Sequence, residues 1–313
     1  MPLHFYSFER VIGRALEEMG YEVTTANDEY PKNPLGRILG KLDLPISRWW
    51  TRRVFRNRIL GGQLDLVVIV KGRGVGPKLV ADMKRHAKRV VGYHFDALSY
   101  DRACERWGAS VDRVSTFDFR DAREKNWQLV ELFSAQTPIV PPPPIRYRIS
   151  AIQRNHSDRL AYLDTVMTAL GDEDSFVFLY EQHILSLAMN AFKNPRLYWK
   201  WRKRISFKPL SYAQYVEALS GSEFTLDYAH PGQTGSTMRS FEALAMGVKL
   251  ITNNVHTVES PYFDERNCIG HELGGDPAEL RAKVEARRGY RPEPFQRSPT
   301  MFLSEVIGPA ETA

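Results

Sequence analysis

Residues 223–254, EFTLDYAHPGQTGSTMRSFEALAMGVKLITNN, decide how the rest of the chain is read. Residues 224–228 are apolar and β-prone, and Pro231, Gly232 and Gly235 end that strand. Ser236 is placed to cap a helix, after which Met238, Phe241, Leu244 and Ala245 recur at helical spacing. Gly247 stops the helix, and residues 248–252 resume as a buried strand. Such a βαβ unit turns loop amides and a helix N-terminus toward one point, which suits a phosphate or another anion. The spacing predicts a nucleotide site here.

Upstream, residues 64–70 (LDLVVIV) form the clearest buried strand, running into the glycine-rich segment 71–76. Strands are also expected at 1–7, 21–26, 89–93, 111–117 and 128–133, with helices at 9–19 and 77–86 and an interrupted helical insertion over 31–60. The segment SAQTPIVPPPPI, 134–145, breaks the pattern, because consecutive prolines make a stiff connector that cannot join a sheet interior. A second alternation follows. Strands are expected at 147–152, 175–180, 205–209 and 267–272, and helices at 159–170, 181–192, 212–220 and 277–288. Alternating strands and helices imply parallel sheets covered on both faces. The fold class is therefore α/β, with two Rossmann-like domains facing across a cleft. The domains are placed at 1–140 and 141–294, with a tail, 295–313, whose helical stretch packs back on the first.

The 313 residues are globular in composition, 43% hydrophobic and 26% charged. No apolar run approaches the ~18 residues of a membrane span. The first twenty residues turn amphipathic at once, unlike a signal peptide, and the two cysteines have no ligand spacing. A cytoplasmic protein is expected. The net charge of +6 concentrates in two basic-aromatic stretches, 48–58 and 196–204. Trp and Tyr among cations suit an anionic membrane surface, stacking on single-stranded nucleic acid, or simply solvated helix faces. No nucleic-acid motif accompanies them, so nucleic acid is not an expected partner.

The stretch HPGQTGSTMRSFEALAMGVKLITNN resembles the donor-site motif of GT-B glycosyltransferases, and is similar to transferases of bacterial lipopolysaccharide and capsular polysaccharide biosynthesis. Three further segments fit that group: VDRVSTFD at 111–118, NHSDR at 155–159, and LDLVVIVKG. The resemblance implies transfer of a sugar from a nucleotide-diphosphate donor to a cell-surface glycan or lipid-linked acceptor. It also implies a site without metal or other cofactor, in which Gly232, Gln233, Thr234, Gly235, Ser236, Thr237 and Arg239 face the diphosphate and Glu242 takes the ribose. Peripheral contact with the inner membrane face would follow from a lipid-linked acceptor. Thr234 stands where many retaining members carry an acid, so no stereochemical course carries over. A non-catalytic relic of the fold that binds nucleotide or glycan is the first competing reading, and a nucleic-acid binder driven by the basic stretches is the second.

Each residue also has a plainer role. Arg239 and Glu242, at i and i+3, suit a surface ion pair. Gln233 also suits a turn cap. Asn253 and Asn254 follow a strand's carboxyl end, where α/β sheets bind ligands and where Asn253 is a donor-binding candidate, and both are equally good turn formers. His156 and Arg159 open a helix beside Asp158, where they either approach the donor or belong to a cap. In the first domain Asp96 follows a strand and is a candidate base for the acceptor hydroxyl, with His94 its competitor; either also suits a cap or a buried polar position. The segment 72–76 lacks the third glycine of a dinucleotide fingerprint, and Asp172-Glu-Asp174 reads as a solvated turn rather than a metal site.

Overall fold

The computed structural model describes residues 8–28, 30, 44–58, 61–155 and 157–309. They fall into two compact units, 1–135 with 298–313, and 136–297. The strand expected at 1–7 and most of the insertion at 31–43 lie outside the described residues.

In the first unit, α1 (Phe8–Glu18) and α2 (Pro45–Arg58) precede β1 (Leu64–Val70), α3 (Pro77–His86) and β2 (Ala87–His94). β3 (Arg113–Thr116), α4 (Phe119–Lys125) and β4 (Gln128–Leu129) follow. The four strands form a parallel sheet in the order β1-β2-β3-β4, with Val67 opposite Val90 and Val91 opposite Arg113. Residues 21–26, expected as a strand, join no ladder; their side chains are exposed or half-exposed, so no buried face fixes a register. The strands expected at 111–117 and 128–133 shorten to four and two residues. Asp118 caps α4, its Oδ1 accepting the Asp121 amide at 3.1 Å.

One face of this sheet packs Ile69, Leu79, Val80, Met83, Val90 and Trp107. Gly72 lies at φ +64°, and a Cβ there would sit 2.6 Å from the Trp107 indole nitrogen, which donates to the Gly72 carbonyl at 2.9 Å. Only glycine fits that contact. Tyr93 and Phe133 meet Phe302 of the C-terminal helix Pro299–Ile307 with ring centroids 4.7 Å apart. That helix also contacts α1, β2 and β3.

The second unit runs β5 (Tyr147–Arg154), α5 (Arg159–Leu170), β6 (Ser175–Tyr180), α6 (Ile184–Lys193), α7 (Pro195–Trp201), β7 (Ile205–Ser206) and α8 (Tyr212–Ser220). It continues through β8 (Ser222–Asp227), α9 (Met238–Ala245), β9 (Lys249–Thr252), β10 (Cys268–Gly270) and α10 (Pro277–Glu285). Its parallel sheet has the order β10-β9-β8-β5-β6-β7. The chain builds outward from β5 through β6 to β7, then returns to the other side of β5 for β8. Between β5 and β8 lies the switch point of a doubly wound sheet, where the connecting loops diverge and leave a crevice at the strand ends.

Every residue of β8 is buried. Phe224 and Leu226 lie in a core with Ile149, Leu163, Leu179 and Ile251. At the opposite end of the sheet from the crevice, Lys249 is fully buried. Its ammonium donates to Glu223 Oε1 at 3.1 Å, to the Tyr290 carbonyl at 2.7 Å and to the Arg287 carbonyl, and lies 4.5 Å from the Phe224 and Tyr290 rings. Glu223 Oε1 also accepts the Gly289 amide at 2.9 Å. A single buried ion pair thus ties the segment after α10 to the strands.

Candidate functional site

At the switch point two loops meet, 155–158 after β5 and 228–237 after β8. The second is held by the two asparagines that follow β9. Asn253 Nδ2 donates to the Ala229 carbonyl at 2.9 Å and its Oδ1 accepts the Ala229 amide at 2.7 Å. Asn254 Nδ2 reaches the carbonyls of Thr234 at 2.9 Å and Gly235 at 3.2 Å. Because a trans peptide points its N–H opposite its C=O, the amides of Gly235 and Ser236 face away from Asn254. A turn from His230 to Gln233 completes the loop, with Gln233 Nε2 on the Gly235 carbonyl at 3.1 Å. The Ser236 hydroxyl is buried and makes no hydrogen bond among the described residues.

The helix after this loop begins one residue later than the sequence suggests. Thr237, not Ser236, is its N-cap residue, and its hydroxyl does not cap. It donates instead to Asp227 Oδ2 at 2.7 Å, which Ser240 also reaches at 3.1 Å. Asp227 is buried at the carboxyl end of β8, so one carboxylate sets the angle at which α9 leaves the loop. The helix ends at Gly247, φ +62°, where a Cβ would lie 2.6 Å from the Pro292 carbonyl.

Arg239 and Glu242 do not form the simple i, i+3 pair; among the described residues no salt bridge joins them within 4.0 Å. Tyr215 of α8 donates its hydroxyl to Glu242 Oε2. Burial raises the pKa of Glu242, against the opposing hydrogen bond from Tyr215 and the charge of Arg239. Burial also raises Tyr215 well above its ordinary value, with Glu242 acting in the same direction. For Arg239, burial works to lower the pKa, but Tyr215, Asp227 and Glu242 together outweigh it and hold the guanidinium charged. A cation and a carboxylate on the first two turns of α9 therefore meet a phenol from α8 at one half-buried position.

Arg159 opens α5, its guanidinium 5.9 Å from the Tyr228 ring centroid, which brings the β5 loop against the β8 loop. Asp158 precedes it without a side-chain cap, and Ser157 sits at φ +55°. His156 lies outside the described residues. Next to this point Glu181, buried at the end of β6, accepts Asn155 Nδ2 at 2.8 Å and Ser186 Oγ at 3.0 Å. Asn155 also donates to Tyr198, whose phenol is pushed up to about 12 by burial and by Glu181.

In the first unit the carboxyl ends of β1 and β2 carry their own charged cluster. Lys71, at φ +65°, places its ammonium 2.8 Å from Asp96 Oδ2, with Arg73 at 4.0 Å. Arg73 also pairs with Asp101. His94 is 1% exposed, its Nδ1 without a hydrogen-bond partner among the described residues, with Trp127 edge-on at 6.3 Å. Burial pulls the His94 pKa below 6.5, opposed by Asp96 and Asp101, so the ring is neutral at neutral pH.

Reading the sequence alone misses Tyr215, Asp227, Glu181 and Lys71. Asp227 had a signal, as a polar residue ending an apolar strand. Tyr215 had none, because its partner lies 27 residues away across a helix–strand–loop unit. Asp174 stands at φ +55° in the turn between α5 and β6, the place expected for a solvated connection.

The two parallel α/β units define a class. Sucrose-phosphate synthase from Thermosynechococcus elongatus aligns over 89% of this chain and 88% of its own, with 13% identity and a TM-score of 0.55. The UDP-GlcNAc 2-epimerase from Methanocaldococcus jannaschii aligns over 94% of both chains, with 14% identity and a TM-score of 0.50. The fold is of the GT-B type that such transferases and epimerases share. Within it, residues 183–294, 112 of the 313 and all in the second unit, match a protein family described as glycosyl transferase-like. A search of curated protein sequences returned no match.

Proposed function

We propose that this protein transfers a sugar from a nucleotide-diphosphate donor to a cell-surface glycan or lipid-linked acceptor at the inner membrane face. The observation that carries the donor half is the loop at the β5–β8 switch point. Its Gly235 and Ser236 amides are turned away from the Asn254 clamp, at the entrance to the helix that holds Arg239 and Glu242. Backbone amides and a fixed guanidinium stabilise charge that develops on a departing diphosphate, with no reorganisation during the step. The anomeric carbon–oxygen bond to the diphosphate breaks, the acceptor oxygen bonds that carbon, and the acceptor proton passes to a base. Glu242 would accept the ribose hydroxyls, with Tyr215 fixing its carboxyl group.

For the base, His94 and Asp96 remain the pair to test. The ring, kept neutral by burial and with no partner for its Nδ1 among the described residues, supports His94; the Lys71 ion pair ties down one oxygen of Asp96. Activity is expected to survive chelation of divalent metal. Thr234, standing where an acid is frequent in similar chains, favours one rival reading, a protein that binds the donor without turnover. Incubation of purified protein with nucleotide sugars separates them. Release of nucleoside diphosphate in wild type, and its loss in Arg239→Ala, supports transfer; donor binding with no release supports the rival.

A further inference from the structure

The most unusual surface of the second unit is α6. No residue of this helix is fully buried. Ile184, Leu185, Ala188, Met189 and Phe192 recur at i, i+1, i+4, i+5 and i+8, which is one continuous helical face. All five are exposed, Phe192 by 89%, Ile184 by 73% and Leu185 by 71%. Leu187 and Ala191, on the other side, are the residues that meet the core. The sequence therefore uses the narrow side of α6 for packing and leaves its broad apolar side to solvent.

The surroundings of that face are cationic. From residue 182 to residue 216 there are seven lysines and arginines and no aspartate or glutamate. Lys200 is ion-paired, to Asp164 of α5 at 2.5 Å. Lys193, Arg196, Arg202, Lys203 and Arg204 are exposed, and among the described residues none of them has a carboxylate partner. Trp199, 69% exposed, carries the Arg202 guanidinium 3.9 Å from its ring centroid. An apolar stripe bordered by uncompensated cations and an exposed indole matches the depth profile of an anionic bilayer, with acyl chains inside and phosphates at the rim.

We propose that α6, with the cationic segment 193–204, is a membrane-docking element that inserts Ile184, Leu185, Met189 and Phe192 into an anionic lipid surface. The charge complementarity of the rim selects this occupant over a second copy of the chain, which would bring the five uncompensated cations of each copy to the same interface. Docking rests on the acceptor half of the proposed function, since a lipid-linked acceptor is presented at such a surface. It is independent of the donor site, because vesicles contain no donor.

Co-sedimentation of the purified chain with vesicles of phosphatidylcholine alone, or phosphatidylcholine mixed with phosphatidylglycerol, tests it. Wild type should partition onto the anionic vesicles at least about tenfold more strongly than onto neutral ones, and lose that binding as salt is raised. The double variant Leu185→Glu, Phe192→Glu should bind at least about tenfold more weakly. Lys203→Glu with Arg204→Glu should bind more weakly to anionic vesicles too. All four positions are exposed, so the melting temperature should stay unchanged and confirm that the variants are folded. Equal binding of wild type and the Leu185/Phe192 variant would overturn the proposal, as would absence of binding to either vesicle. A concentration-dependent dimer abolished by Leu185→Glu would also overturn it and assign the face to a second copy. Loss of vesicle binding with unchanged donor binding leaves the donor reading intact.

Discussion

Replacing Lys249 by methionine should destabilise the second unit strongly and leave donor affinity alone. The lysine belongs to the KLITNN stretch that marks the donor motif in sequence, yet it occupies the first position of β9. That is about 10 Å from the carboxyl end of the strand at the usual rise per residue. Its ammonium satisfies Glu223 and the carbonyls of Arg287 and Tyr290 in a fully buried position. Methionine keeps the length and fills the space, but leaves a buried carboxylate facing only the Gly289 amide. Breaking one side of a buried pair costs about 3–5 kcal/mol. For a unit of 162 residues, 136–297, that corresponds to a melting temperature lower by about 10 °C. The double variant Lys249→Met, Glu223→Gln should recover part of the loss, because no uncompensated charge remains. Differential scanning calorimetry, with donor titration below the transition, measures both quantities. A variant that melts like wild type but no longer binds donor would refute the assignment of this lysine to stability.

Other residues give separate tests. Asn254→Ala frees two loop carbonyls and should weaken nucleotide-diphosphate binding about tenfold by isothermal titration, at a stability cost of about 1–3 kcal/mol for the unsatisfied groups. Tyr215→Phe removes the donor to Glu242, whose pKa burial already raises, so donor binding should weaken more at neutral pH than in mild acid. The His94 pKa is depressed by burial, so the unfolded chain takes up a proton first as pH falls below about 6.5. Stability from this group is complete above that pH and falls below it; His94→Gln should flatten the acid limb of the denaturation midpoint against pH. His271, depressed by burial in the same direction, gives a residual slope that the variant does not remove.

Much of the fold was legible because its strands are bounded by glycine and proline and its helices by caps. Leu64–Val70, Ser175–Tyr180 and Tyr212–Ser220 match their expected bounds to the residue. The last is closed by a full capping box of Ser211 and Gln214, a signal written in four adjacent residues. The failures are where pairing over distance decides. Residues 21–26 are β-prone but join no ladder, and β4 keeps two residues because its neighbour β3 offers two partners. The candidate site divides in the same way. Gly-loop, Arg239 and Glu242 were visible as spacing. Tyr215 and Asp227 were not assigned, because their importance comes from hydrogen bonds closed by the packing of α8 and β8 against α9. Asn253 and Asn254 looked interchangeable as turn formers, and the structure gives them different anchors, Ala229 for one and the Gly-loop carbonyls for the other.

The central claim is that a nucleotide-diphosphate donor binds at the β5–β8 switch point through the loop and Arg239. A thermal-shift panel of nucleoside diphosphates and nucleotide sugars, run on wild type and Arg239→Ala, addresses it directly. At about one hundred times Kd a ligand specific for the folded state adds about 2.7 kcal/mol, a shift of several degrees. At least one nucleotide should raise the wild-type melting temperature by that amount and leave Arg239→Ala unmoved, with the unliganded variant still folded. Identical shifts in both proteins, or no shift with any nucleotide, would contradict the account.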